Sequence, residues 1–167
     1  MIEMRPAPVT VVEPDRPDTG MICLHTIGSL GLHAGGPTRT VPALCQHLRT
    51  LADTWEIRIL AGSAAALGEN VVPDNVRVNT IPGRVSSAIY KAALQQQLAG
   101  GRPFILHDHG QWLAINRACA AFSRDVNAPR VVSPRGMLSP WALNYHKFRK
   151  RIAWWAFAKR DLRSAAV

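Results

Sequence analysis

Residues 21–52 read MICLHTIGSLGLHAGGPTRTVPALCQHLRTLA. The apolar run from Met21 to Thr26 predicts a buried strand, and Gly28, Gly31, Gly35, Gly36 and Pro37 predict a turn-rich loop. A helix is expected from about Thr38 to Ala52, with Leu44, Leu48 and Leu51 as its apolar face at i, i+4 and i+7. Pro37 suits its first turn. Pro42 lies further in, where a missing N–H and a bulky ring are expected to tighten or kink the early turns. Strand, glycine-rich loop and helix in succession open a βαβ unit.

The alternation continues along the chain. Trp55 to Ala61 reads as an alternating second strand, and Val76 to Ile81 as a third, closed by Pro82 and Gly83. Ser86 to Leu98 reads as a helix with Ile89, Ala93 and Leu94 on its apolar stripe, stopped by Gly100 and Gly101. Pro103 to Leu106 is the fourth strand, Leu113 to Phe122 a helix, and Pro129 to Ser133 the fifth strand. One long helix is expected from about Pro140 to Leu162, with Ser139 as N-cap and Pro140 in the first turn. The order predicts an α/β fold: a Rossmann-like parallel sheet with helices on both faces, right-handed crossovers, and the strand C-terminal ends on one edge. Residues 1–20, with Pro6, Pro8, Pro14 and Pro17, read as a flexible Pro-rich leader, leaving 21–167 as one domain.

With 167 residues the chain fits one domain and is too short for two full nucleotide-binding lobes. Its 47% apolar and 19% charged residues exclude disorder along the whole length. The net charge of +9 is unevenly placed. Residues 1–129 nearly balance, whereas from Arg130 onward nine basic residues face only Asp161, which implies a negatively charged partner at that end. No nucleic-acid-binding signature accompanies the charge, so no nucleic acid is expected. Cys23, Cys45 and Cys119 form no CxxC pair and read as thiols in a reducing cytoplasm, with Cys23 and Cys45 in apolar runs where burial is the ordinary expectation. No apolar run approaches the roughly 20 residues of a membrane span, and the N-terminus has no signal-peptide pattern, so a soluble or peripheral protein is expected.

In an open parallel sheet ligands bind beyond the strand C-termini, which here selects residues 27–37, 107–112 and 133–139. The glycine loop leads into a helix N-terminus, where free N–H groups and the helix dipole favour an anion such as phosphate, and Gly35 and Gly36 allow close approach to the backbone. A tight turn needing positive φ explains the same glycines. The GxGxxG and Walker patterns are both absent. His107 and His109 flank Asp108, and the two imidazoles are expected on opposite faces, one looking into the cleft for acid/base or hydrogen-bonding work and one packed. Neither acids nor cysteines cluster with them, so no metal is expected. Arg135, between Pro134 and Gly136, can present a guanidinium to a phosphate or carboxylate, or pair with a nearby acid. In the last helix Tyr145, Phe148, Ile152 and Trp155 make one stripe beside Lys147, Arg149, Lys150 and Arg151. Packing of that stripe on the sheet is the leading expectation, and contact with an anionic membrane surface, aided by Trp154, the other.

Gly35-Gly-Pro-Thr-Arg39 with the strand before it, His107-Asp-His-Gly-Gln-Trp112, and Ser133-Pro-Arg-Gly-Met-Leu-Ser-Pro-Trp-Ala-Leu143 with the helix after it fall in order on the three loops. Together they resemble the N-terminal, acceptor-side domain of the family 4 retaining glycosyltransferases, which have the GT-B fold, over about Met21 to Val167. The third segment resembles a subgroup that builds bacterial surface polysaccharides. The resemblance implies a donor-diphosphate loop at Gly35, Gly36 and Thr38, a catalytic histidine at His109 contacting donor sugar or acceptor, and an acceptor-side loop with Trp112, Arg135 and Gly136. It implies membrane-facing Lys147, Arg149, Lys150, Arg151 and Trp154. The partners it implies are a nucleotide sugar, a polyprenyl-linked or saccharide acceptor and an anionic membrane surface. No cofactor or metal is implied, and the place is the cytoplasm at the inner face of the plasma membrane. In the family the nucleotide is held by a C-terminal lobe bearing two glutamates separated by seven residues, and Glu3, Glu13, Glu56 and Glu69 are not so spaced. The expectation is therefore a fragment completed by a separate C-terminal lobe, clipped after Ala165-Ala-Val167, exposing an unpaired edge or apolar face, marginally stable and inactive alone. The alternative is a non-catalytic membrane- or lipid-binding module.

Overall fold

The apolar runs become five parallel strands in the order β3-β2-β1-β4-β5: β1 Ile22–Ile27, β2 Glu56–Ala61, β3 Arg77–Thr80, β4 Phe104–His109 and β5 Arg130–Ser133. The computed structural model describes residues 20–31, 34–62, 75–81 and 85–166. Residues 1–19 of the leader read over 1–20, and Pro82 and Gly83, lie outside the described residues.

Helices cover both faces of the sheet. Helix α1, Pro37–Leu51, packs over Cys23 and Ile27 of β1 and Ile57 and Ile59 of β2. Helices α2, Ser87–Gln97, and α3, Ala114–Asp125, cover the opposite face, where Ile22, Leu24, Leu60 and Leu106 meet Tyr90, Leu94, Ile115 and Phe122. With both faces covered, β1 and β2 are buried almost throughout, so β2 lacks the alternation read from its sequence. Trp55, the first residue of the expected strand, stays outside it.

The apolar stripes are rotated from those expected. Helix α1 turns Val41 and Cys45 inward, and Leu51 is 83% exposed. Pro42 is accommodated inside the continuous helix and is itself buried. Helix α2 buries Tyr90 and Leu94, with Ala93 packed alongside, while Ile89 is exposed. Gly100 and Gly101 both take positive φ where α2 ends, as stop signals do.

The expected long C-terminal helix is broken. Helix α4, Pro140–Asn144, is capped by the Ser139 hydroxyl, which accepts from the Ala142 N–H at 3.3 Å. Tyr145 is extended and His146 left-handed, so the chain turns before α5, Lys147–Ala153. A π-helical segment, Trp154–Ala158, then leads into α6, Lys159–Arg163. Because of this break the Phe148, Ile152 and Trp155 stripe does not pack on the sheet: these side chains are 80%, 71% and 70% exposed. No helix among the described residues is long and apolar enough to cross a membrane.

Candidate functional site at the carboxyl edge of the sheet

The strand order reverses at β1 and β4, the point where a parallel sheet opens a crevice between its first βα loop and the loop after the neighbouring strand. Strand β4 runs three residues further than its sequence indicates, so His107, Asp108 and His109 are strand residues. Strand period two then puts His107 and His109 on the same face, with ring centroids 4.1 Å apart, and corrects the expectation of opposite faces. His25 of β1 lies opposite His107 in register and joins them, its ring 4.9 Å from His107 and 5.3 Å from His109. Sequence reading missed His25, because a lone histidine inside an apolar run carries no signal until the strands pair.

Asp108 turns to the other face and is fully buried. Its carboxylate accepts from the Thr26 hydroxyl at 2.7 Å, from Asn116 Nδ2 at 2.7 Å and from Arg130 Nη1 at 3.1 Å, tying β1, α3 and β5 together. Burial pushes this carboxyl up to about 6 despite those partners. Arg130 also donates to the Asp161 carbonyl and so fastens α6 to the sheet.

On the histidine face, His25 Nδ1 lies 3.0 Å from His109 Nε2, and Arg135 donates to His109 Nδ1 from Nε at 3.3 Å and Nη2 at 3.1 Å. The Arg135 partner is thus an imidazole rather than the acid considered from sequence. His107 Nε2 lies 2.9 Å from Ser133 Oγ. Burial, then the neighbouring His107 and Arg135, lowers His25 to about 3. Burial, then His107, His25 and Arg135, lowers His109 to about 2, so both rings are neutral at physiological pH. The donor atoms of His25, His107 and His109 fall within 4.8 Å of one another, a set able to ligate a transition metal. A metal there would have to take the lone pairs that now accept hydrogen bonds, beside the fixed charge of Arg135.

The loops around this cluster are held in left-handed conformations. Gly110 has φ +102° and Trp112 φ +76°, and Arg135 and Gly136 have φ +51° and +77°. The two loops clamp each other: Trp112 Nε1 donates to the Met137 carbonyl at 3.3 Å, and the Gln111 N–H meets Met137 Sδ at 3.1 Å. In the glycine loop Gly35 has φ +90°, which accounts for glycine there. Among the described residues, a side chain at Gly35 or Gly36 would meet nothing within 4 Å, so this backbone stands clear of them. Thr38 is buried and donates its hydroxyl hydrogen to the Gly35 carbonyl at 2.7 Å, bracing the turn.

A cleft of about 300 Å³ joins two groups of residues that the sequence kept apart: Trp112 on one wall, and Lys147, Lys150, Arg151 and Trp154 on the other. The two indoles stand 6.4 Å apart, and the Lys150 ammonium lies 5.9 Å from the Trp112 ring. Arg149 does not line it, and among the described residues none of the three cations has an acidic partner.

A doubly wound parallel sheet in the order β3-β2-β1-β4-β5, with helices on both faces, defines a Rossmann-like lobe. Residues 35–167 match the glycosyl transferase 4-like domain, and the chain belongs to that family. No curated protein matches the chain.

Proposed function

We propose that this domain is the acceptor-side lobe of a retaining glycosyltransferase. It transfers a sugar from a nucleotide-sugar donor to a lipid-linked or saccharide acceptor during assembly of bacterial surface polysaccharide, at the inner face of the plasma membrane. The carrying observation is the cleft between Trp112 and α5. Two indoles offer flat faces to a sugar ring, and Lys147, Lys150 and Arg151 offer unpaired positive charge to a phosphorylated carrier. The exposed Phe148, Ile152 and Trp155 stripe begins on the same helix, and Arg151 borders both surfaces. An amphipathic helix with basic flanks of this kind suits an anionic membrane surface.

The open backbone at Gly35 and Gly36 fits the donor diphosphate, at a helix N-terminus that favours anions. The nucleotide is held by a second, donor-binding lobe, and the departing diphosphate is stabilised by N–H groups and cations rather than by a metal. His109, at the carboxyl end of β4, takes part in turnover through the Arg135 guanidinium that it holds. Radiolabelled sugar transfer by the enzyme completed with its donor lobe tests the proposal. Transfer or donor hydrolysis with a common nucleotide sugar is expected, and neither with any of them would overturn it.

A further inference from the structure

His25 is fully buried on β1, beyond the reach of a substrate, yet a chain of hydrogen bonds ties it to the loop cation Arg135. Arginine donates only and stays charged, so the polarity of the chain is fixed from its outer end. His109 Nδ1 must accept from Arg135 Nε and Nη2. A neutral imidazole has one N–H, so His109 carries it on Nε2 and donates it to His25 Nδ1 at 3.0 Å. His25 must then carry its own hydrogen on Nε2, which lies 3.3 Å from Cys23 Sγ, a weak acceptor. One tautomer for each ring satisfies all four groups. Burial keeps both rings neutral, as the chain requires.

His109 is left with no ring nitrogen free for a ligand. The open end of the chain is Arg135: its Nη1 takes no part in these bonds, and the side chain is half-buried at the carboxyl edge of the sheet. A guanidinium already held by two of its nitrogens loses little further freedom when an anion docks on the third.

We infer that His25 is a positioning residue: by fixing the tautomer of His109 it holds the Arg135 guanidinium as a stationary cation for a phosphoryl group bound at the carboxyl edge of the sheet. The phosphoryl class of the ligand rests on the glycosyltransferase proposal, in which a diphosphate departs, whereas the relay rests on geometry alone. Arg135→Gln removes the cation. His25→Asn places an amide oxygen near the former Nδ1 and keeps an acceptor for His109, and His25→Gln places its amide near the former Nε2 and does not.

The test has two arms on the full-length ¹⁵N-labelled protein. Ring-nitrogen chemical shifts report which nitrogen bears hydrogen, and Nε2–H is expected for both His25 and His109. Hydrogen on Nδ1 of either ring overturns the inference. Titration with inorganic pyrophosphate, followed at the backbone amide of Gly136 in every variant and at Arg135 Nε in wild type, is expected to give Kd values about tenfold weaker for Arg135→Gln and His25→Gln, and within about threefold of wild type for His25→Asn. Equal loss in His25→Asn and His25→Gln, as a packing role would give, overturns it, and so does wild-type protein that leaves Arg135 unperturbed by pyrophosphate. Failure of sugar transfer by the completed enzyme would sink the glycosyltransferase proposal and leave the tautomer result standing. A wrong tautomer would do the reverse.

Discussion

At the amino edge of the sheet Glu56 takes Arg58 at 2.7 Å, Arg102 at 2.5 Å and Arg77 at 3.3 Å, whereas at the carboxyl edge Arg135 is held by a neutral imidazole and Lys147, Lys150 and Arg151 meet no acid among the described residues. Charge at the first edge is closed within the protein, and charge at the second is open. Closed ion-pair networks stabilise a fold, whereas open cations beside aromatic rings and left-handed loops leave charge that a ligand can meet. The difference teaches which end of a parallel sheet to alter for stability and which for activity.

The largest expected effect is at the open edge. His109→Ala in the completed enzyme frees Arg135, and transfer is expected to fall about a hundredfold. Wild-type turnover in that variant would remove His109 and its relay from the site. At the closed edge Glu56→Gln leaves three arginines without their shared carboxylate and is expected to cost about 2 kcal/mol in urea unfolding. Transfer per folded molecule should stay unchanged, and a loss comparable to that of His109→Ala would erase the distinction between the edges.

Two carboxylates give the pH dependence opposite slopes. Burial raises the Glu56 carboxyl, but the Arg58 hydrogen bonds and charge, with Arg102 and Arg77, outweigh it and hold the group down at about 2. A depressed carboxyl contributes stability above its unfolded value of 4.5, and that contribution is lost as pH falls toward 2. Asp108, raised from 3.8 to about 6, does the opposite: its contribution is full below 3.8 and lost as pH rises through 6. Thermal melts across pH 2 to 7 should therefore fall on the acid side in wild type, and Glu56→Gln should flatten that limb alone. An unchanged acid limb in Glu56→Gln would contradict the assignment.

The smallest stability effect is expected outside both edges. Phe148→Ser with Trp155→Ser alters side chains already in solvent and should shift stability by no more than about 0.5 kcal/mol. Sedimentation with anionic vesicles at low salt is expected to fall about fivefold, and undiminished binding would detach the stripe from the membrane.

Much of this architecture was legible in the chain. Apolar runs, glycines and helix signals gave five strands in order, the Ser139 cap, the positive φ at Gly35 and the loops that follow the strands, because those features depend on local backbone preference. Helix faces were less legible. Leu44 and Leu51 have the spacing of a stripe, but Val41 and Cys45 face the sheet, since the angle at which α1 crosses the strands selects the buried side. The break at Tyr145 and His146 was also hidden, because no Gly or Pro marks it and a left-handed histidine carries no sequence signal.

By itself the sequence determined a parallel α/β domain with its polar loops at one edge, for the hydrophobic period and turn chemistry leave little choice. Only the tertiary structure decided that His25 meets His109, that Trp112 faces Lys150 and Trp154, and that the Phe148 stripe looks outward. Those relations join residues from 38 to 84 positions apart, or turn on a local kink. Strand register and helix packing set them, and these are properties of the assembled sheet rather than of any segment.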